Sequence, residues 1–169
     1  MIDSWLFGLT LISALGCGLI AGVFFVFSAF VMKALARLPP AQGIAAMQSI
    51  NVVVINPLFM AVFLGTAAAC ALLIVSASMR WHRAGAACLL AGSLLYLVGT
   101  VLVTMVFNVP RNDALAIVDP ASADGARLWA RYVSDWTAWN HVRTAAALAA
   151  ATLLTVALYL GRDAGSASV

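Results

Sequence analysis

Four long apolar runs separated by short polar connections set the pattern of this chain. The first, Trp5–Met32, holds 28 residues without a charge. At about 1.5 Å per residue such a helix exceeds a ~30 Å hydrocarbon core, so it is expected to tilt or project from a bilayer. Lys33, Arg37, Pro39 and Pro40 close it. No charge occurs from Leu38 to Met79, yet Gln42, Gln48, Ser49, Asn51 and Asn56 occupy the first half of that stretch. This predicts a short amphipathic helix at the membrane interface over Ala41–Ile50, followed by a second span over Asn56–Met79. Pro57 suits the first helical turn, with Asn56 as its N-cap. Capping accounts for Asn56 and leaves Asn51 unexplained.

Arg80-Trp81-His82-Arg83 is a tight connection of interfacial character. A third span is expected over Ala84–Phe107. Gly85, Gly92 and Gly99 in that span, and Ala14, Gly18 and Gly22 in the first, read as small-residue seams for close helix contact. Pro110 is expected to end or kink the third span near Val109, exposing carbonyls beside Asn108, Arg111 and Asn112. From about Ser122 one helix is predicted through to Leu160. The polar stretch Gly161–Val169 is expected to fray. The fold class is therefore all-α, a transmembrane four-helix bundle with a short interfacial helix between spans one and two. It forms a single domain over 1–161 with a flexible tail over 162–169.

Composition agrees with the pattern. The chain is 64% hydrophobic and only 9% charged, against roughly 25% charged residues in soluble domains. The net charge of +3 comes from nine scattered basic residues and six aspartates, an arrangement that gives nucleic-acid binding no support. Cys17, Cys70 and Cys88 lie inside apolar runs and read as small packers. With only His82 and His141 beside them, neither a zinc cage nor a bis-histidine haem is expected. Asp3 and the length of the first apolar run argue against a cleaved signal peptide.

One stretch concentrates the chemistry. Arg127–Arg143 holds three of the five tryptophans and three of the nine basic residues. On a helix at about 100° per residue, Trp129, Tyr132, Trp136, Trp139, Asn140 and Arg143 share a face. Two readings stand side by side: an interfacial aromatic belt with a snorkelling arginine, or the wall of a pocket. With four spans, the one–two and three–four connections fall at one end of the bundle. That end gathers Ser28, Asn51, Asn56, Asn108, Arg111, Asn112 and the aromatic face, while the other has only Arg80–Arg83 and the termini. Six of nine basic residues lie at the polar end, which by the positive-inside rule faces the cytoplasm.

Three segments carry a resemblance. They are Gly22-Val-Phe-Phe-Val-Phe-Ser28 with Val31-Met32; Gln48-Ser-Ile-Asn51 with Ile55-Asn56-Pro57; and Asn108-Val-Pro-Arg-Asn112-Asp followed by Trp136-Thr-Ala-Trp139-Asn140-His-Val-Arg143. In order and spacing they resemble the anthrone-oxygenase-like family of small four-span membrane proteins, whose oxygenase members come from polyketide pathways. Lys33 departs from the pattern, standing where the family usually has proline. The resemblance implies a cofactor-free monooxygenase: oxidation of an anthrone-type tricyclic phenol to its quinone by molecular oxygen, without metal or flavin. Within it, Arg143, Asn140 and Asn108 are the catalytic candidates, as donors to an enolate oxygen. Trp136, Trp139 and Tyr132 offer faces for stacking, and Asn112, Asn51, Asn56 and Ser28 complete the substrate-binding set. His141, Asp113 and Asp135 stand as alternative bases. The rival readings are a non-catalytic carrier of a lipid-soluble aromatic such as a quinone, and a structural subunit. The expected partners are the lipid bilayer, that of a bacterial inner membrane, and a hydrophobic aromatic small molecule; a homo-oligomer is left open.

Overall fold

The computed structural model describes residues 4–166, and the side chains of residues 4–161. It holds five helices: α1 (Ser4–Leu35), α2 (Pro40–Val53), α3 (Pro57–Met79), α4 (Ala86–Ala116) and α5 (Ala123–Ser166). All but α2 are long and apolar enough to cross a membrane. The protein is an integral membrane protein built as a four-helix bundle, with α2 as a short extra helix between the first two spans.

The helix boundaries follow from local chemistry. Pro40 opens α2 and Pro57 opens α3, each at a first-turn position where a missing N–H costs nothing. Asn56 caps α3: its Oδ1 accepts from the Phe59 amide at 3.0 Å. Gly85, at φ +85°, makes the left-handed turn into α4 that a side chain would resist. α5 continues past Leu160 to Ser166, and residues 167–169 of the expected tail lie outside the described residues.

The third span runs beyond the expected Phe107, and of the two outcomes expected at Pro110, an end or a kink, the helix does not take the first. The helix does not stop at Val109 but continues to Ala116. The turns before Pro110 are widened into π-helix over Leu95–Leu102 and again over Thr104–Asn108. A proline in an α-helix clashes with the carbonyl four residues back, and a wider turn moves that carbonyl aside. Arg111 adds a hydrogen bond from Nη1 to the Phe107 carbonyl at 2.6 Å.

Packing uses some of the small-residue seams and not others. Gly92 and Gly99 sit directly against α5, where a Cβ at Gly99 would fall 2.5 Å from the Ala146 methyl. Gly85 meets the Ala157 carbonyl. In α1 the close approach is at Gly16, whose Cβ would strike the Thr66 hydroxyl. Gly18 and Gly22, expected in a seam, have nothing within 4 Å and lie on the outer face of α1. Cys17 and Cys70 are fully buried in the apolar core between these helices.

The two ends of the bundle differ as the pattern implied. At the plain end Arg80 lies over the Trp5 ring, and Leu6, Ala86 and Ala157 close together. At the polar end α2 lies across the bundle. Gln48 fastens it there, donating from Nε2 to the Leu115 carbonyl at 2.9 Å and the Val118 carbonyl at 3.1 Å.

Candidate functional site

Arg143 is buried within the bundle, only 4% exposed, one helical turn past Trp139. Its Nη2 donates to Asn140 Oδ1 at 2.6 Å and its Nη1 to Thr104 Oγ1 at 3.1 Å. The guanidinium carbon lies 4.1 Å from the centre of the Phe24 ring and 5.0 Å from that of Trp136, within cation–π range. Nε has no partner, and among the described residues no carboxylate pairs with this cation. A buried charge held only by neutral oxygens and ring faces is costly.

A directional chain of hydrogen bonds fixes that arginine. A guanidinium only donates, so Asn140 must turn its oxygen toward Arg143. Its Nδ2 then donates to the Phe24 carbonyl and to Ser28 Oγ, both at 2.7 Å. Thr144 gives its one hydroxyl proton to the Asn140 carbonyl at 2.8 Å. Ser28 therefore donates to Thr144 Oγ1, 3.2 Å away. Asn140 is fully buried and fully used; it ties α5 to α1 and aims Arg143.

A second cluster stands beside it. Trp136 Nε1 and the Tyr132 hydroxyl both donate to Asn112 Oδ1, at 2.8 and 2.9 Å. The indole can only donate, so the Asn112 oxygen faces the aromatics and its amide nitrogen is left with no acceptor among the described residues. Trp129, Tyr132 and Trp136 form a ladder along α5, with ring centres 5.6 and 6.2 Å apart. All three are buried. The exposed tryptophans are Trp5 and Trp81, at the plain end. The belt reading therefore fits those two, whereas the α5 ladder is packed inside against Met32, Ile44 and Met47.

Between these clusters and α3 lies a cavity of about 380 Å³. Pockets for small organic ligands run from roughly 300 to 1,000 Å³, so this one suits a single flat molecule. Phe24, Phe27, Phe59, Phe63 and Trp136 give it aromatic walls. Arg143, Thr104, Asn112 and Asn51 give it a polar side, where the Asn51 amide nitrogen is buried without a partner.

Of the ten residues singled out from sequence, four line this cavity: Arg143, Trp136, Asn112 and Asn51. Asn140, Ser28 and Tyr132 stand behind it as supports. Three lie elsewhere. Trp139 stacks on Phe107 with ring centres 3.5 Å apart, away from the cavity. Asn56 is exposed and occupied as a cap. Asn108 is buried but donates to the Trp136 carbonyl at 3.2 Å and does not line the cavity. None of the three candidate bases reaches it either. His141 and Asp113 are exposed, and Asp135 is exposed 3.9 Å from Arg111.

Of the two residues that touch the Arg143 guanidinium from other helices, neither Thr104 nor Phe24 was singled out from sequence. Thr104 had a signal: Tyr96, Thr100, Thr104, Asn108 and Asn112 recur at steps of four in an apolar helix. Such a stripe drifts by roughly 40° per step around a 3.6-residue helix. The π turns of α4 wind it back toward α5. Phe24 sat among four phenylalanines between positions 24 and 30 with nothing to single it out.

Among the described residues, no three of His, Cys, Asp and Glu come together as metal ligands would. Comparison with known families gives one match: the model of the anthrone oxygenase family covers residues 59–153, from the start of α3 to well along α5. Comparison with curated proteins gives no match, and comparison with solved structures gives none. The matched stretch includes Thr104, Asn112, Trp136, Asn140 and Arg143, and on this basis the chain belongs to the anthrone oxygenase family.

Proposed function

We propose that the cavity binds an anthrone-type tricyclic phenol and promotes its oxidation by molecular oxygen to the quinone. The balance is one anthrone and one O₂ giving one anthraquinone and one water. The enolate passes an electron to O₂, and the resulting radical pair joins in a carbon–oxygen bond at the former methylene carbon. The hydroperoxide so formed loses water to leave the second carbonyl. The observation that carries this reading is the buried, uncompensated Arg143, aimed by Asn140 into an aromatic-walled cavity.

Each lining group has a part. Phe24, Phe27 and Trp136 flank a flat ring system. The Arg143 guanidinium stabilises the enolate oxygen, a preorganised cation acting where water is scarce. The amide nitrogens of Asn112 and Asn51 donate to the ring hydroxyls or the developing carbonyl. Among the described residues, no carboxylate or imidazole lines the cavity. Because the proton lost from carbon is regained by the peroxide, only a transient acceptor is needed, and we assign that role to water.

The test is oxygen uptake by the purified protein in detergent with anthrone added, alongside optical measurement of quinone. Equimolar oxygen consumption and quinone formation, above the uncatalysed background, are expected. Tight binding without turnover would instead make the protein a carrier of such aromatics.

A further inference from the structure

Resting on the reading of the cavity as an aromatic-binding site, we infer that its ligand arrives sideways from the hydrocarbon of the bilayer, through a portal between α3 and α4. The cavity has two unlike sides. Its donors, Arg143, Thr104, Asn51 and Asn112, sit on the inner wall. The opposite rim is made of Ile55, Met60, Leu64, Val101, Met105 and Val109, all apolar. Leu64 is 50% and Met105 63% exposed while lining the cavity, so the space opens outward at that point. Leu64 lies seven residues into α3, about 10 Å along the span at 1.5 Å per residue. That depth is hydrocarbon, not headgroup.

The gap has a structural origin. Toward the plain end α3 and α4 are joined where the Tyr96 hydroxyl donates to the Phe63 carbonyl at 3.0 Å. α3 packs against α4 as far as the Leu95–Leu102 segment and barely touches Thr104–Asn108. α2 lies over the polar end with Ile44 and Met47 fully buried, fastened by Gln48. Behind it stands the Tyr132–Asn112–Trp136 cluster.

An apolar rim and a donor-lined floor together define the substrate class. The ligand crosses the rim uncharged, so it is a neutral, lipid-soluble planar phenol whose oxygens lie along one edge. It meets the cation only inside, where ionisation becomes favourable. Phenols bearing a sulfonate or a sugar are excluded by the rim, whatever their ring system.

The experiment uses the full chain in lipid vesicles with a fluorescent hydroxyanthraquinone and its sulfonated analogue as probes, and follows the rate of fluorescence change on mixing. The neutral probe is expected to bind the wild type and the sulfonate not to bind. Leu64→Trp and Met105→Trp should each slow association about tenfold, one 1.36 kcal/mol step in barrier. Dissociation should slow along with association, since a portal lies on the path in both directions. Val98→Trp, at a position exposed on α4 but away from the cavity, should leave the rate unchanged. Equal rates for wild type and both rim variants, or binding of the sulfonate at the neutral probe's rate, overturn the portal. Failure of the wild type to bind either probe overturns the aromatic-site reading, and the portal with it.

Discussion

At the scale of single residues, the site divides into groups that face the cavity and groups that hold them, and substitution separates the two. Arg143→Ala should lower turnover about 10²–10³-fold, the cost typical of one lost oxyanion donor. Arg143→Lys should recover only part, because a point charge cannot reproduce the planar fork that meets both Asn140 and Thr104. Asn140→Ala acts differently. It strips partners from the Phe24 carbonyl, Ser28 and Arg143 together. Leaving buried polar groups unsatisfied costs about 1–3 kcal/mol, so thermal unfolding in detergent should shift down along with activity. Asn56→Ala is the contrast. It removes a helix cap worth about 1 kcal/mol and should leave turnover per folded molecule unchanged, because Asn56 lies outside the cavity.

At the scale of elements, the seams make an equally sharp contrast. Gly99→Leu drives a side chain into Ala146, where even a Cβ sits at 2.5 Å. It should destabilise the α4–α5 contact by about 1–3 kcal/mol, as overpacking does, or prevent folding. Gly18→Ala on the open face of α1 meets nothing within 4 Å and should be neutral to slightly stabilising in a melting experiment. Sequence told these glycines apart poorly, because spacing shows that small residues share a face and not whether a neighbour covers it. The spans themselves were legible, since length and the absence of charge decide them. The boundaries at Pro40 and Pro57 were legible because proline and an N-cap punctuate a helix locally. The continuation of α4 through Pro110 was not, because the compensating π turns leave no mark in hydropathy. Arg143 stood out as a cation in an apolar stretch with no acid on its face. Trp139 was drawn into the same group by a helical wheel on which it sits about 60° from Trp136, at the edge of the arc; Phe107 claims it instead.

At the scale of the whole molecule, the asymmetry between the ends gives the bundle a direction in the membrane. Arg143 is buried and does not count toward topology. Lys33, Arg37, Arg111, Arg127 and Arg131 remain at the polar end, against Arg80, Arg83 and Arg162 at the other. The positive-inside rule then places the polar end in the cytoplasm and both termini across the membrane. A reporter fused to the carboxyl terminus and active only outside the cytoplasm should score; one active only inside reverses the orientation. In either orientation the cavity is bounded by all four spans and by α2. Its function turns on one electrostatic property, the capacity of Arg143 to favour an anion in that space. The most direct measurement is the visible absorbance of a bound hydroxyanthraquinone, which does not turn over and changes colour on ionisation, titrated with pH in the presence of purified protein. A neighbouring cation stabilises the phenolate and lowers its pKa. Wild type should therefore ionise the bound dye about one unit or more below its midpoint in detergent alone, each unit being ~1.36 kcal/mol. Arg143→Gln should bring the midpoint back. The same midpoint for bound dye in wild type and Arg143→Gln would contradict the account.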